Sequence, residues 1–263
     1  MAILRSRLWQ LALLGALQSP RPSAAQGGAT LLTEGRAITA MRPAEALRRF
    51  EQVLALDSLD YDANWLAAEA AANLGQQTPD GVKSPERDSL YARAVRYARR
   101  AVQVDSARAE GHFALAMALG RLALTKAKRE RARYAAEIRA EALRALARDS
   151  TQDGAHHVLG LWNAEILRLS GFNRFFAKTF LGAAVFGQAS WEEATRHLEE
   201  SVRLDSTRIY HRLDLARVYL DRKRYAEARA QLEAIARLPE RTALDRRYRE
   251  EARELREAIG RRG

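Results

Sequence analysis

Residues 209–240 read IYHRLDLARVYLDRKRYAEARAQLEAIARLPE, and this stretch decides the fold. Leu213, Leu215, Ala216 and Tyr219 recur at helical spacing. A short basic turn, DRKRY, interrupts them. Ala228, Leu232 and Ile235 then mark one face of a second helix, which Pro239 stops. Two short helices joined by such a turn cannot shelter both of their apolar faces alone, so the unit calls for neighbours of its own kind.

The rest of the chain supplies them. Four amphipathic runs, AEALRRFEQVLALDS, YARAVRYARRAVQVDS, AEIRAEALRALARDS and WEEATRHLEESVRLDS, end on Asp57-Ser58, Asp105-Ser106, Asp149-Ser150 and Asp205-Ser206. A second helical run starts within a few residues of each. This self-similarity defines a repeat array, not a single-core enzyme. Successive Asp-Ser pairs stand 48, 44 and 56 residues apart, more than the roughly 34 of the clearest unit. The excess is expected between the two helices of units two, three and four: a loop over GQQTPDGVKSPERDS, charged helix over TKAKRERARYAAE that lengthens both helices, and the segment Phe172 to Ser190.

A small residue in the first helix, a bulky one three later, then an aromatic and a small residue in the second make up the tetratricopeptide signature, which this unit resembles at Ala216, Tyr219, Tyr225 and Ala228. Ala68, Ala116 and Gly160 match Ala216. Ala46, Ala94 and Ala194 match Ala228, with Ile138 as the departure. Phe50, Ala98, Ala142 and Leu198 match Leu232. Gly35 takes the small position of unit one if its turn is one residue short. The Asp-Ser pairs stand where such repeats usually carry Asp-Pro, and the serine is expected to serve as a turn or cap residue. The expectation is all-α: a tetratricopeptide-type helical-hairpin solenoid of about five repeats with insertions, closed by a C-terminal capping helix over Ala243 to Ile259. That cap would turn Asp245, Arg246, Arg249, Glu250, Arg253 and Glu254 outward.

The segments GHFALAMALGRLA, GAHHVLGLWNAEI, FGQASWEEATRHLEESVRLDS and the closing unit are also similar to the regulator-of-microtubule-dynamics family and its bacterial relatives, over residues 40 to 255. The resemblance implies a binding scaffold. The microtubule link of the animal members is not expected of an exported chain.

Export is read from the N-terminus. Arg5 and Arg7 precede the apolar run LWQLALLGAL (Leu8 to Leu17), and Ser23 and Ala25 supply small residues before a cut after Ala25. Residues 1–25 thus read as a cleaved signal peptide and 26–263 as the repeat domain, periplasmic or secreted. The run is too short to span a bilayer, which needs roughly 20 residues. Loss of Arg5, Arg7 and Arg21 takes the formal charge of +11 to +8. There is no cysteine, which excludes disulfides, thiolate ligands and a lipid-bearing thiol. The positive balance is arginine-rich and interleaved with acids, as on solvated helix faces, so no nucleic-acid partner is expected.

Arrays of this class bind a protein or peptide partner on the concave face, which the first helices line. The residues expected there are Asp62, Trp65, Glu69 and Asn73; Phe113, Met117 and Arg121; His157, Leu161 and Glu165; and Tyr210, Leu213, Arg217 and Asp221, with Trp65, Phe113 and Leu213 equally suited to packing on the adjacent helix. They alternate anchors for burial with charges for register. Arg121, Arg217, Glu69 and Glu165 would set the polarity. The phenylalanines of Phe172 to Phe186 have two readings: an extra helix that packs on its own array and narrows the groove, or a membrane-surface patch as an alternative function. No catalytic set, metal set or cofactor motif is expected: His156 and His157 point about 100° apart, and Gly81-Val82-Lys83-Ser84 has the wrong spacing for a phosphate loop.

Overall fold

The computed structural model describes residues 24–169 and 187–260. Within them lie eleven α-helices and no strand: α1 (Ala24–Ile38), α2 (Pro43–Leu56), α3 (Tyr61–Gly75), α4 (Pro85–Val104), α5 (Ala109–Leu124), α6 (Lys128–Arg148), α7 (Asp153–Arg168), α8 (Trp191–Leu204), α9 (Ile209–Asp221), α10 (Tyr225–Arg237) and α11 (Asp245–Gly260). Consecutive helices pack as five hairpins, α1/α2 through α9/α10, and α11 packs on α9 and α10.

The Asp-Ser pairs build one turn four times. Each aspartate ends a second helix, its backbone N–H bonded to the carbonyl four residues back. Its Oδ1 accepts the N–H two residues on, from Leu59, Ala107, Thr151 and Thr207 at 2.8–3.0 Å. That is an Asx turn. The serine contributes its carbonyl rather than its hydroxyl. It accepts a side-chain N–H from the residue six on, in Asn64, His112, His156 and Arg212, at 2.9–3.1 Å. Capping by the serine, expected from sequence, is therefore corrected: the carboxylate beside it already satisfies the turn.

Small residues set the hairpin spacing. Ala68, Ala116 and Ala216 are fully buried, as are Ala46, Ala94, Ala194 and Ala228 opposite them. Gly160 faces Leu198, where an added Cβ would sit 2.5 Å from the leucine Cγ and 3.1 Å from the Ala194 carbonyl oxygen. Gly35 lies against the Phe50 ring, which its missing Cβ leaves room for. The first hairpin thus holds the register expected of it. The α9–α10 turn puts Lys223 in the left-handed region (φ 59°), with Arg224 N–H bonded to the Tyr219 carbonyl at 2.8 Å and Lys223 N–H to that of Leu220 at 3.0 Å, an αL helix ending.

Three expectations change. The loop of unit two ends at Ser84, not Ser89. Ser84 caps α4, its Oγ accepting the Arg87 N–H at 3.1 Å, and Pro85 takes the first turn, where a missing N–H costs nothing. The insertion of unit three lengthens α6 alone, to 21 residues against 16 in α5. Asp245 is not on an outer face. It is 2% exposed and accepts the backbone N–H groups of Arg241 and Thr242 at 2.7 and 2.8 Å, which organises the entry to α11.

Two apolar clusters form the core. One joins α2 to α7 around Phe50, Leu66, Leu119 and Trp162. The other joins α7 to α11 around Leu198, Leu213, Ile235 and Ile259. Helix α7 serves both. The ends of the array also meet. Ala243 N–H bonds to the Ala40 carbonyl at 3.0 Å, Arg247 Nη1 to the Gln76 carbonyl at 2.8 Å, and Tyr248 Oη to Gln76 Oε1 at 3.1 Å. The last helix is more than an end cap. It reaches back to the first two hairpins.

Candidate functional site: a chamber on the concave side

That closure turns the expected open trough into a chamber of about 1270 Å³. Its wall comes from the first helix of successive hairpins, α3, α5, α7 and α9, from one flank of α6, and from α11. Spacings of three and four residues put Glu69 and Asn73 on the inner face of α3, Phe113, Met117 and Arg121 on that of α5, and His157, Leu161 and Glu165 on that of α7. On α9 the inner stripe is Tyr210, Asp214, Arg217 and Asp221.

Of the expected partner-contacting residues, all but Asp62, Trp65 and Leu213 line the chamber. Leu213 is 1% exposed in the C-terminal core. Helix α9 is turned so that Asp214, one position on, takes its place. Trp65 Nε1 donates to Asp62 Oδ1 at 2.9 Å, the Arg36 guanidinium stands 5.7 Å from the Trp65 ring centroid, and Asp62 accepts from Arg108 at 3.0 Å. The α1 helix and the start of α5 thus occupy that end of α3. Phe113 does face the chamber, its ring seated where Gly154 carries no Cβ. The Phe172–Phe186 patch lies outside the described residues.

Sequence reasoning missed Arg208, Arg247, Tyr248, Glu251 and Leu255, all of which line the chamber. Those of α11 arrive by closure, which leaves no local trace. Leu255 and Tyr248 inside an otherwise charged run are the one signal that this helix has an inner side.

Much of the chamber's charge is neutralised in place. Arg217 bridges Asp214 (2.7 Å) and Glu251. Arg168 bridges Glu165 (2.6 Å) and Asp221 (2.6 Å). Arg208 pairs with Asp205 at 2.9 Å and lies 3.9 Å from Asp153. Burial alone would raise the Asp214 carboxyl, but the hydrogen bond and charge of His157 (Nε2 at 3.2 Å), with Arg217, hold it well below the usual carboxylate range. Arg217 and Glu165, expected to face a partner, are thus engaged within the protein. Burial pushes Glu69 up, against the field of Arg208, and pushes the Tyr210 phenol up likewise.

His156 and His197 are tied into the packing between α7 and α8. His156 Nε2 donates to the Ser150 carbonyl at 3.1 Å, and its Nδ1 meets His197 Nδ1 at 2.9 Å. His197 Nε2 in turn accepts from Arg196 at 2.9 Å. Among the described residues, no group of three or more metal-ligating side chains could hold an ion, and no helix is long and apolar enough to cross a membrane.

Five hairpins with small residues at each crossing define a tetratricopeptide-type solenoid. The family model of regulator of microtubule dynamics protein 1-3 matches residues 32–260, and the chain belongs to that family. No curated protein matches it. Among solved structures it is similar to TTC0263, a thermophilic tetratricopeptide repeat protein of Thermus thermophilus, with TM-score 0.60, 23% identity, and 86% of this chain and 98% of that one covered. It is also similar to pilF of Pseudomonas aeruginosa, with TM-score 0.51, 15% identity and 92% of each chain covered. These likenesses are of fold.

Proposed function

We propose that this protein is an exported scaffold that receives a segment of a protein partner in its chamber. The observation that carries the reading is the wall. Four successive first helices line a cavity of about 1270 Å³, larger than the roughly 300–1,000 Å³ of small-molecule sites, and two of them, α5 and α7, present Phe113, Met117 and Leu161 there as apolar anchors. Burying an aromatic or aliphatic anchor there contributes about 1.5–3 kcal/mol each, and the ion pairs at the rim orient the entering chain. Support for export lies in Arg5, Arg7, the Leu8–Leu17 run and the small residues Ser23 and Ala25. The compartment that follows is periplasmic or extracellular.

The test is a photocrosslinking amino acid placed at Leu161 in the chamber and, as a control, at Leu143, which is 38% exposed on α6. Crosslinking in the native envelope should capture a discrete partner from Leu161 and not from Leu143. Phe113→Ala should cut the yield roughly tenfold, the loss expected for one anchor, with helicity unchanged. Equal capture from both positions, or capture indifferent to Phe113→Ala, excludes the chamber as the binding site.

A further inference from the structure

The chamber's charges are not all spent. Once the lining groups are sorted by what already neutralises them, two inward-facing ones remain. Arg121 has no hydrogen bond and no carboxylate within 4.0 Å among the described residues. Glu69 has no cation within 4.0 Å among the described residues, and the neutral Asn73 amide lies one turn along α3. Asp80, also without an ion pair, is exposed on the rim. Arg131, Arg168, Arg208, Arg217 and Arg247 are each held by carboxylates or backbone carbonyls.

A half-buried carboxyl and a half-buried guanidinium without ion partners, in a recessed and mostly apolar space, have lost part of their hydration, and a visitor of opposite charge completes them. Their separation follows from the repeat. Ala68 and Ala116 hold the same buried place on α3 and α5, so Arg121 corresponds to Asn73, four residues beyond Glu69. Four residues of helix rise about 6 Å, and packed helix axes stand about 8–10 Å apart. The two backbones are therefore about 10–12 Å apart, the length of three to four residues of extended chain.

We propose that the chamber selects an apolar peptide segment that carries a basic side chain for Glu69 and an acidic side chain for Arg121, spaced three to four residues apart. The inference rests on the reading that a peptide enters the chamber and names its chemistry. A cation arriving at Glu69 meets Arg208 nearby, but Arg208 is offset by Asp205 and Asp153. Burial pushes the Glu69 carboxyl up, and Arg208 and Arg36 oppose that shift while Asp153 adds to it, so a basic visitor favours the ionised form. Binding of such a segment therefore tightens as pH rises past the ordinary carboxylate range, and Glu69→Gln abolishes that dependence.

The test is a position-scanning library of acetylated, amidated apolar octapeptides, each with one lysine and one glutamate at every spacing, presented to the full chain. Enrichment at spacings of three and four is expected. Glu69→Gln should lose roughly tenfold or more of the preference for lysine while keeping that for glutamate, and Arg121→Gln the reverse. Arg121→Glu should turn the second preference to lysine, and an unchanged thermal midpoint shows that the fold survives. Peptides that bind with no charge preference overturn this assignment and leave the chamber standing as a peptide site. Failure of every peptide to bind overturns both.

Discussion

Asp57, Asp105, Asp149 and Asp205 each close a helix and start a turn, and the residue six beyond each following serine ties itself back to that serine's carbonyl. Asparagine, two histidines and an arginine fill that last role, because all it needs is a side-chain N–H of the right reach. This is why the Asp-Ser pair is visible in the sequence and its partner is not. Gly160 shows the opposite case, a position where only one residue fits. Gly160→Ala would push a methyl to 2.5 Å from Leu198 Cγ and against the Ala194 carbonyl. Leucine can turn away but the backbone cannot, so we expect a loss of about 1–3 kcal/mol, measured as a lowered urea midpoint with unchanged m-value. A midpoint equal to that of the parent would show that the hairpin is looser than its contacts imply.

At the scale of the element, α11 is the one helix whose role its own sequence conceals. Its apolar contacts, through Ala252 and Ile259, go to the C-terminal core. Its reach to the first two hairpins is made of hydrogen bonds. Each such bond is worth a net 0.5–1.5 kcal/mol or so, far less than the clusters on either side, so the closure is the weakest seam of the array. Arg247→Ala together with Tyr248→Phe should free the Ala243 amide. Hydrogen exchange there should accelerate by about tenfold or more, while amides of α9 and α10 keep their protection. Unchanged exchange at Ala243 would mean that packing, not the Gln76 contacts, holds the end in place. The insertion of unit three shows how an element's length was misjudged. Lys126 and Ala127 look as helical as their neighbours in sequence. Yet α5 ends at Leu124, where Arg131 Nη2 and Nε reach back to the carbonyls of Leu124 and Lys126 at 2.9 and 2.8 Å.

Across the whole molecule, all five histidines are buried at hairpin seams, and two weigh on stability. Burial, with the charges of Arg196 and His156 beside it, holds His197 down at about 4. Burial, with His157 and Arg208, holds His211 well below 6.5. Above pH 6.5 both are neutral in the folded and the unfolded chain. Below it the unfolded chain binds protons that the folded one refuses, so stability falls with pH by up to about 1.4 kcal/mol per unit for each histidine. The His197 share stops growing near pH 4. Glu69, pushed up by burial, acts the other way as pH rises above its ordinary value, but as one group against two. Urea midpoints should therefore decline steadily from pH 6.5 to 4.5, and a flat profile would rule this out.

The hairpins were legible because each depends on residues within about 40 positions of one another: Gly35 against Phe50, Gly160 against Leu198, and Ala216 and Ala228 both fully buried. Helical periodicity placed most of the chamber wall on the right faces and missed by one residue at Leu213, because period alone does not say how far a helix is rolled about its axis. The chamber itself was out of reach. It exists because Arg247 meets Gln76 across 171 residues of chain, a contact that depends on the small rotation from each hairpin to the next. No local pattern records that rotation. Side-chain periodicity and turn chemistry act over a few residues and are written in the order of the amino acids. Curvature accumulates over five packed interfaces, and the folded whole alone sets whether the two ends meet.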